Sequence, residues 1–203
     1  MPPEQSDMND TLVVTWSINQ NGSNRAIFEF LLGGKYSENY DFFWKTNELN
    51  GFCANWYYSP FKSEGESFYT MEQYMMWRKA TLFQDRVSAP KILGVTDGNG
   101  AECKKLGREV TGFDQKIWDN MSDSIVKDGL RLKFGQNPDL KKKLLSTGLD
   151  HLVEASPFDK IWGIGLNYSD AIKMNPYKWP GENKLGQCLE EVREEFSNIR
   201  EEL

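Results

Sequence analysis

A carboxylate and an amine share one face of a helix predicted at residues 71–83. Glu72, Met76 and Lys79 lie at positions i, i+4 and i+7, which fall on the same side of a helix. If that side is buried, the amine must be paired or neutral, because an isolated buried ammonium is too costly. Such a lysine can attack a carbonyl carbon or the aldehyde of an opened sugar. A surface helix with unrelated charges satisfies the same spacing, and structural ion pairs are commoner than catalytic ones.

A second polar group occupies residues 151–165. Its members are two carboxylates, an indole and two glycines: Glu154, Asp159, Trp162, Gly163 and Gly165. Short buried strands are predicted at 151–155 and 161–164, with a turn between them that can place these side chains in a cleft. Glycine permits close approach of a backbone to a ligand, and the Trp162 indole could stack on a base or flank a sugar. In the alternative interpretation, Trp162 is a core residue and Asp159 closes an Asx turn.

The remaining residue types disfavour most other catalytic chemistry. His151 is the single histidine, and no nucleophile motif accompanies it. The cysteines Cys53, Cys103 and Cys188 are widely spaced and form no CxxC pair or zinc-binding pattern. Residues 163–165 lack the third glycine of a dinucleotide-binding motif. We therefore expect no metal and no cofactor. Carboxylate and lysine chemistry remains, and it suits a bond that breaks through an oxocarbenium-like state.

The composition is that of an acidic globular chain, with 203 residues, a net charge of -6 and a pI near 5.0. Broad charge-driven binding to nucleic acid is therefore disfavoured. The densest basic cluster, at 141–143 and preceded by Arg131 and Lys133, is interpreted as a solvated helix face, with a phosphate-tracking patch as the alternative. Residues 1–10 predict a disordered lead with no signal peptide, and no stretch predicts a membrane span. We expect an intracellular, cytoplasmic protein, and a nuclear location is compatible with the sequence.

The periodicity predicts an α+β fold in one mostly helical domain with a few short strands. Strands are predicted at 12–16, 26–30 and 40–44, the first two joined by a turn at Asn21-Gly22. The predicted helices cover 71–83, 101–108, 114–134 and 137–148, and a final helix carries the apolar stripe Leu185, Leu189, Val192, Phe196 and Ile199. Thr70 and Gln73 form a capping box. Residues 94–100 form a flexible turn with no phosphate role. The single domain covers 11–203.

Many ordered motifs of this chain resemble the NADAR superfamily, also called YbiA-like proteins. The matching segments run from about residue 52 to residue 193: FCANWYYSPF (52–61), YTMEQY (69–74) with Lys79, KLGR (105–108), Trp118, KF (133–134), LSTG (145–148), LVEA (152–155), DKIWGIG (159–165), GENKLG (181–186) and Arg193. The sequence departs from the family pattern at Cys53-Ala54 and at Met71. Residues 11–50 look like a strand-rich addition to the shortest members.

The resemblance implies a compact α+β fold and N-glycosidase activity on a ribose C1–N bond. Some members look like enzymes that cleave a phosphoribosyl-aminopyrimidine of the riboflavin pathway, and others like hydrolases that remove ADP-ribose from guanine in nucleic acid. We favour ADP-ribosylated guanosine, with limited nucleic-acid contact. By analogy, Lys79 would capture C1 as a Schiff base and Glu72 and Asp159 would handle protons or charge. The ligand-binding set would be Asn55, Trp118, Lys133, Trp162, Gly163, Gly165 and Asn183. A non-catalytic module that binds ADP-ribose or NAD is the alternative of another class.

Overall fold

The computed structural model describes residues 13–16, 24–31 and 35–201. In this part of the chain the strands are β1 (Val13–Trp16), β2 (Asn24–Leu31), β3 (Lys35–Phe43), β4 (Phe61–Ser63), β5 (Glu66–Phe68) and β6 (His151–Glu154). The α-helices are α1 (Met71–Leu82), α2 (Ser88–Leu93), α3 (Gly100–Arg108), α4 (Gln115–Gln136), α5 (Pro138–Ser146), α6 (Tyr168–Ala171) and α7 (Lys184–Glu201). Helices hold more of the described residues than strands do, and the α+β prediction is confirmed.

The chain divides into two compact units, each made of two separate segments. The first unit comprises residues 1–50 and 147–186, and the second comprises 51–146 and 187–203. The helix α7 begins in the first unit and continues in the second. That residues 11–203 form one domain stays a prediction.

The first unit is built on a four-stranded sheet in the order β1-β2-β3-β6. The pairs β1–β2 and β2–β3 are antiparallel, whereas β3 and β6 are parallel, with Tyr40 opposite His151 and Phe43 opposite Glu154. Alternate residues of β2 and β3 point into one apolar cluster because side chains alternate along a strand. The buried members include Ala26, Phe28, Tyr40, Phe42, Val153 and Ile164. The predicted turn at Asn21-Gly22 lies outside the described residues.

The second unit is mainly helical and carries the small hairpin β4–β5. Helix α1 packs against α2, α3 and α4, and two glycines make room for its side chains. A Cβ at Gly107 of α3 would collide with the Met76 side chain, and one at Gly129 of α4 would lie 2.6 Å from Tyr74 Cδ1. Such distances are far below van der Waals contact, so glycine at these positions allows the helices to approach closely.

The N-terminus of α1 confirms the predicted capping box with one change. Thr70 Oγ1 accepts a hydrogen bond from the Gln73 backbone N–H at 3.2 Å. In a capping box the Gln73 side chain would accept from the N–H of Thr70. Here Gln73 Oε1 instead accepts a hydrogen bond from the N–H of Tyr69 at 2.8 Å. Its amide nitrogen donates to the carbonyls of Ile92 and Val95, 2.9 Å from each. One buried side chain therefore caps α1 and ties it to the end of α2.

The strand predicted at 161–164 is wrong, since residues 161–163 form bends and Ile164 belongs to no strand. Asp159 Oδ1 accepts hydrogen bonds from the N–H groups of Ile161 at 3.0 Å and Trp162 at 2.9 Å. The Gly165 N–H donates to the Asp159 carbonyl at 2.9 Å. A short apolar run cannot be assigned from its composition when local side-chain bonds compete with strand pairing. Prediction also missed the β4–β5 hairpin and the short helices α2 and α6.

The basic cluster of the sequence divides into different environments. Arg131 pairs with Asp128 and Glu195, each at 2.7 Å, and Lys142 is exposed, as expected for a solvated face. The Lys141 ammonium lies 4.1 Å from the centroid of the Phe196 ring. Lys133 does not belong to that face, because its side chain is completely buried. No helix in the described part of the chain is long and apolar enough to cross a membrane.

Candidate functional site

Helix α1 presents Lys79 to a half-buried, aromatic environment. The Lys79 Nζ donates a hydrogen bond to the Gly107 carbonyl at 2.8 Å. It also lies 4.2 Å from the centroid of the Phe113 ring and 5.8 Å from that of Trp118. Gly107 is in the last turn of α3, where carbonyls have no partner within their own helix. The lysine thus provides a hydrogen-bond donor for a carbonyl at the end of α3, and its amine lies beside two aromatic rings.

Burial lowers the pKa of the Lys79 amine from its ordinary value. Desolvation disfavours the ammonium, and among the described residues no carboxylate pairs with Lys79 to offset this effect. A lysine in this state supplies more neutral amine at neutral pH than a solvated lysine does, and the neutral amine is the nucleophile. The lowered pKa thus falls on the lysine that the sequence singled out, and its role as a nucleophile stays a prediction.

Glu72 lies seven residues earlier on α1 and is buried, with 2% of its surface exposed. Its backbone N–H donates to the Asn55 carbonyl at 2.9 Å. Its carboxylate, together with the larger effect of burial, raises the pKa of the Cys103 thiol to about 12, so this thiol stays protonated. Two turns of helix separate Glu72 from Lys79 by roughly 10 Å along the axis. The two residues share a helix but form no ion pair.

The loop that follows Gly51 brings Asn55 against the N-terminus of α1. Asn55 is 8% exposed, and its Oδ1 has no hydrogen-bond partner among the described residues. A buried amide oxygen without a partner is costly in the absence of a donor. The side chain is therefore suited to accept a hydrogen bond from a ligand N–H or O–H group.

Lys133 of α4 lies beneath the same loop. Its Nζ donates to the carbonyls of Phe52 at 2.7 Å and Ala54 at 3.3 Å. Burial lowers the pKa of this amine to about 8, an effect that Cys53 partly opposes. Because the side chain is wholly buried and bonded to the loop backbone, its visible role is to hold residues 52–54. The predicted contact of Lys133 with a ligand stays a prediction.

The first unit contains the other predicted site residues, Asp159, Trp162, Gly163, Gly165 and Asn183. Asp159 closes an Asx turn, as one of the two sequence interpretations proposed. Trp162 is half-buried, so it is not a core residue. A Cβ at Gly163 would lie 2.8 Å from the Glu154 carbonyl oxygen, and Gly165 has a φ of +71°. Both glycines are required by the fold of their own loop.

Asn183 extends the edge of β6 with its side chain. Its Oδ1 accepts from the Glu154 N–H at 3.0 Å, and its Nδ2 donates to the Leu152 carbonyl at 2.8 Å. The amide imitates the pairing of a neighbouring strand. This geometry gives Asn183 a structural role beside any contact with a ligand.

Two contacts of Lys79 were missed in the sequence, the Gly107 carbonyl and the Phe113 ring. A backbone acceptor on another helix has no signature in a side-chain pattern. Phe113 precedes the N-cap Asp114 by one residue, and only the fold of α4 against α1 brings it to Lys79. Trp118, which the resemblance placed in the ligand-binding set, lies near Lys79, and its contact with a ligand stays a prediction. No group of three or more metal-ligating side chains occurs among the residues that the structure describes.

Fold and site together define an α+β protein with a desolvated lysine and a buried carboxylate on one helix. The NADAR domain family matches residues 42–197, so the chain belongs to the NADAR family. This match includes residues of both compact units and begins within β3.

The relatives and a solved structure agree with this assignment. An N-glycosidase of Acanthamoeba polyphaga mimivirus is 47% identical over 147 residues, which are 70% of this chain and 85% of that protein. An N-glycosidase of Nostoc punctiforme is 31% identical over 160 residues, 78% of this chain and 93% of that protein. The NMR structure of the E. coli protein YbiA is similar, with a TM-score of 0.67, 27% identity and coverage of 81% of this chain and 88% of that chain.

Proposed function

We propose that this protein is an N-glycosidase that cleaves the bond between ribose C1 and a base nitrogen, and that its substrate is ADP-ribosylated guanosine in nucleic acid. The observation that carries the proposal is the environment of Lys79, an amine with a lowered pKa beside two aromatic rings and without a carboxylate partner. The names of the viral and cyanobacterial relatives support the reaction class.

The neutral Lys79 amine would attack C1 as the C1–N bond to the base breaks. The base leaves with one proton, the ribose ring oxygen takes another as the ring opens, and C1 becomes a Schiff base of Lys79. Water then adds to C1 and releases the lysine, so the net reaction is hydrolysis. The buried Glu72 carboxylate and Asp159 are proposed to exchange these protons or to offset charge at C1. The Asn55 Oδ1 would accept a hydrogen bond from the substrate, and Trp118 and Trp162 would flank it.

The test is a turnover assay on ADP-ribosylated guanine DNA and, separately, on the phosphoribosyl-aminopyrimidine, with borohydride added to trap a lysine adduct. We expect release of ADP-ribose from the DNA and an added mass on the peptide that contains Lys79. Cleavage of the pyrimidine alone would replace the proposed substrate by the metabolite. Binding of ADP-ribose without cleavage of either compound would contradict catalysis and favour the binding module.

Asp159 is tested in the same assay with Asp159→Asn. The asparagine oxygen can still accept from the N–H groups of Ile161 and Trp162, so the turn is retained while the charge is lost. A large fall in kcat is expected if the charge acts at C1. An unchanged kcat would limit Asp159 to its structural turn.

A further inference from the structure

Two exposed aromatic rings follow Asn55 on the loop, and each lies on a glycine. Trp56 is 44% exposed and Tyr58 is 57% exposed. A Cβ built on Gly100 would lie 2.7, 2.9 and 3.0 Å from Cγ, Cδ1 and Cδ2 of Trp56. These nearly equal distances place the added carbon above the face of the pyrrole ring. One face of the indole therefore packs on the glycine, and the exposed surface of Trp56 belongs to the rest of the ring.

Tyr58 packs on Gly98 in a similar way. A Cβ at that glycine would lie 2.7 Å from Tyr58 Cδ2, and its φ of +75° independently favours glycine. Tyr58 also stacks on Tyr69, with 6.1 Å between the ring centroids and 26° between the planes. The turn at 94–100 thus supports two exposed rings, a function that its glycines did not reveal in the sequence.

The position of Trp56 relates it to the reactive amine through α3. Trp56 lies on Gly100, the first residue of α3, and Lys79 bonds to the carbonyl of Gly107. Residues seven apart fall on the same side of a helix, and seven residues span roughly 10 Å along its axis. Trp56 and Lys79 thus contact the first and the last turn of α3, roughly 10 Å apart along its axis. An extended ligand could reach both.

The charges near Trp56 favour a neutral ring over a phosphate. Asp97 is in the turn beneath the aromatic residues, and Glu102 is in the first turn of α3. The first-turn N–H of Glu102 is already bonded to Asn99 Oδ1 at 3.1 Å. Glu102 is paired with Lys105 at 3.5 Å, so the Asp97 carboxylate and the closed cap are what disfavour an anion here. A flat uncharged ring on an exposed indole gains stacking energy without needing positive charge.

We propose that the exposed face of Trp56 is a stacking platform for a nucleobase other than the base that is released at Lys79. This inference rests on the proposed function and specifies its substrate class: the ligand carries a second base. That base is either the adenine of the ADP-ribosyl group or a neighbouring base of the nucleic acid. Both present the same planar ring to the indole.

The experiment compares Trp56→Ala, Trp56→Phe and Gly100→Ala with the wild-type protein and with Leu149→Ala, a control that truncates another exposed apolar side chain. Each is assayed on ADP-ribosylated guanosine, on an ADP-ribosylated oligonucleotide and on the phosphoribosyl-aminopyrimidine. Base stacking on an aromatic ring predicts a rise in KM of about 5- to 150-fold for Trp56→Ala, with little change in kcat. Trp56→Phe should retain most of the affinity.

The three substrates separate the two sources of the base. A higher KM for the isolated guanosine adduct identifies adenine, and one confined to the oligonucleotide identifies a neighbouring base. The aminopyrimidine has no second base, so its KM should not change. An equal rise on that compound, or no rise on any substrate, overturns the proposal. Gly100→Ala forces the indole to move and should also raise KM, and an unchanged KM there contradicts the platform.

Binding measurements separate this inference from the proposed reaction. If wild-type protein cleaves none of the compounds, the N-glycosidase proposal fails, and titrations with AMP and ribose 5-phosphate still decide the role of Trp56. Weaker binding of AMP to Trp56→Ala, with no change for ribose 5-phosphate, supports the platform. Equal AMP affinity in wild type and variant overturns it. Urea unfolding of each variant confirms that the comparison is made between folded proteins.

Discussion

Lys79 and Lys133 each donate to a backbone carbonyl of the second unit, but their surroundings differ. Lys79 is half-buried, makes one hydrogen bond and has two aromatic rings beside its amine. Lys133 is completely buried and bonds two carbonyls of one loop. Burial lowers the pKa of both amines. A perturbed lysine pKa therefore does not by itself identify a nucleophile; access for a substrate distinguishes the two sites.

The largest effect should come from Lys79→Arg. Arginine can still donate to the Gly107 carbonyl, but its guanidinium stays charged and cannot form a Schiff base. We expect kcat to fall by at least about 10³-fold and the borohydride adduct to disappear, with little change in the free energy of unfolding. Lys116→Arg, at an exposed position of α4, is the matched control. Full turnover by Lys79→Arg would remove the Schiff base from the mechanism.

Lys133→Met should act on stability first. The variant leaves the carbonyls of Phe52 and Ala54 without their donor, and each buried unsatisfied group costs about 1–3 kcal/mol. We expect the free energy of unfolding, measured with urea, to fall by about 2–4 kcal/mol. Lys142→Met at an exposed position should change it by less than about 0.5 kcal/mol. If Lys133→Met is as stable as the control, the two carbonyls do not depend on this lysine.

The smallest of the three effects should be the change in the stability contribution of Lys133 with pH. The pKa of Lys133 is about 8 in the folded protein, and an unfolded lysine has a pKa of about 10.4. Between these two pH values the lysine is mostly neutral in the folded protein and mostly protonated in the unfolded chain. Since the unfolded chain binds more protons, the free energy of unfolding rises with pH. From pH 8 to pH 10, wild type should gain about 2 kcal/mol relative to Lys133→Met. A constant difference between the two proteins over that range would contradict a lowered pKa.

Much of the second unit was predictable from sequence because its signals are local. The Thr70 and Gln73 cap fixes the start of α1, and the spacing of Glu72 and Lys79 follows from helix geometry. In the predicted apolar stripe of α7, Leu185, Leu189 and Val192 are buried and Phe196 is half-buried, whereas the Ile199 side chain lies outside the described part of the chain. The strand at 161–164 was mispredicted because Asp159 accepts hydrogen bonds from the N–H groups of Ile161 and Trp162, which a strand would have used.

The sequence by itself determined the helix that carries Glu72 and Lys79, the family and the residue types available for chemistry. These depend on periodicity and on motifs that are local to the chain. Only the tertiary structure decided that Lys79 contacts Gly107 and Phe113, and that Lys133 is buried under residues 52–54. Both outcomes depend on backbone carbonyls and rings that are distant in sequence. A lysine's chemistry is set by the solvent and partners around its amine, and these exist only once the helices have packed.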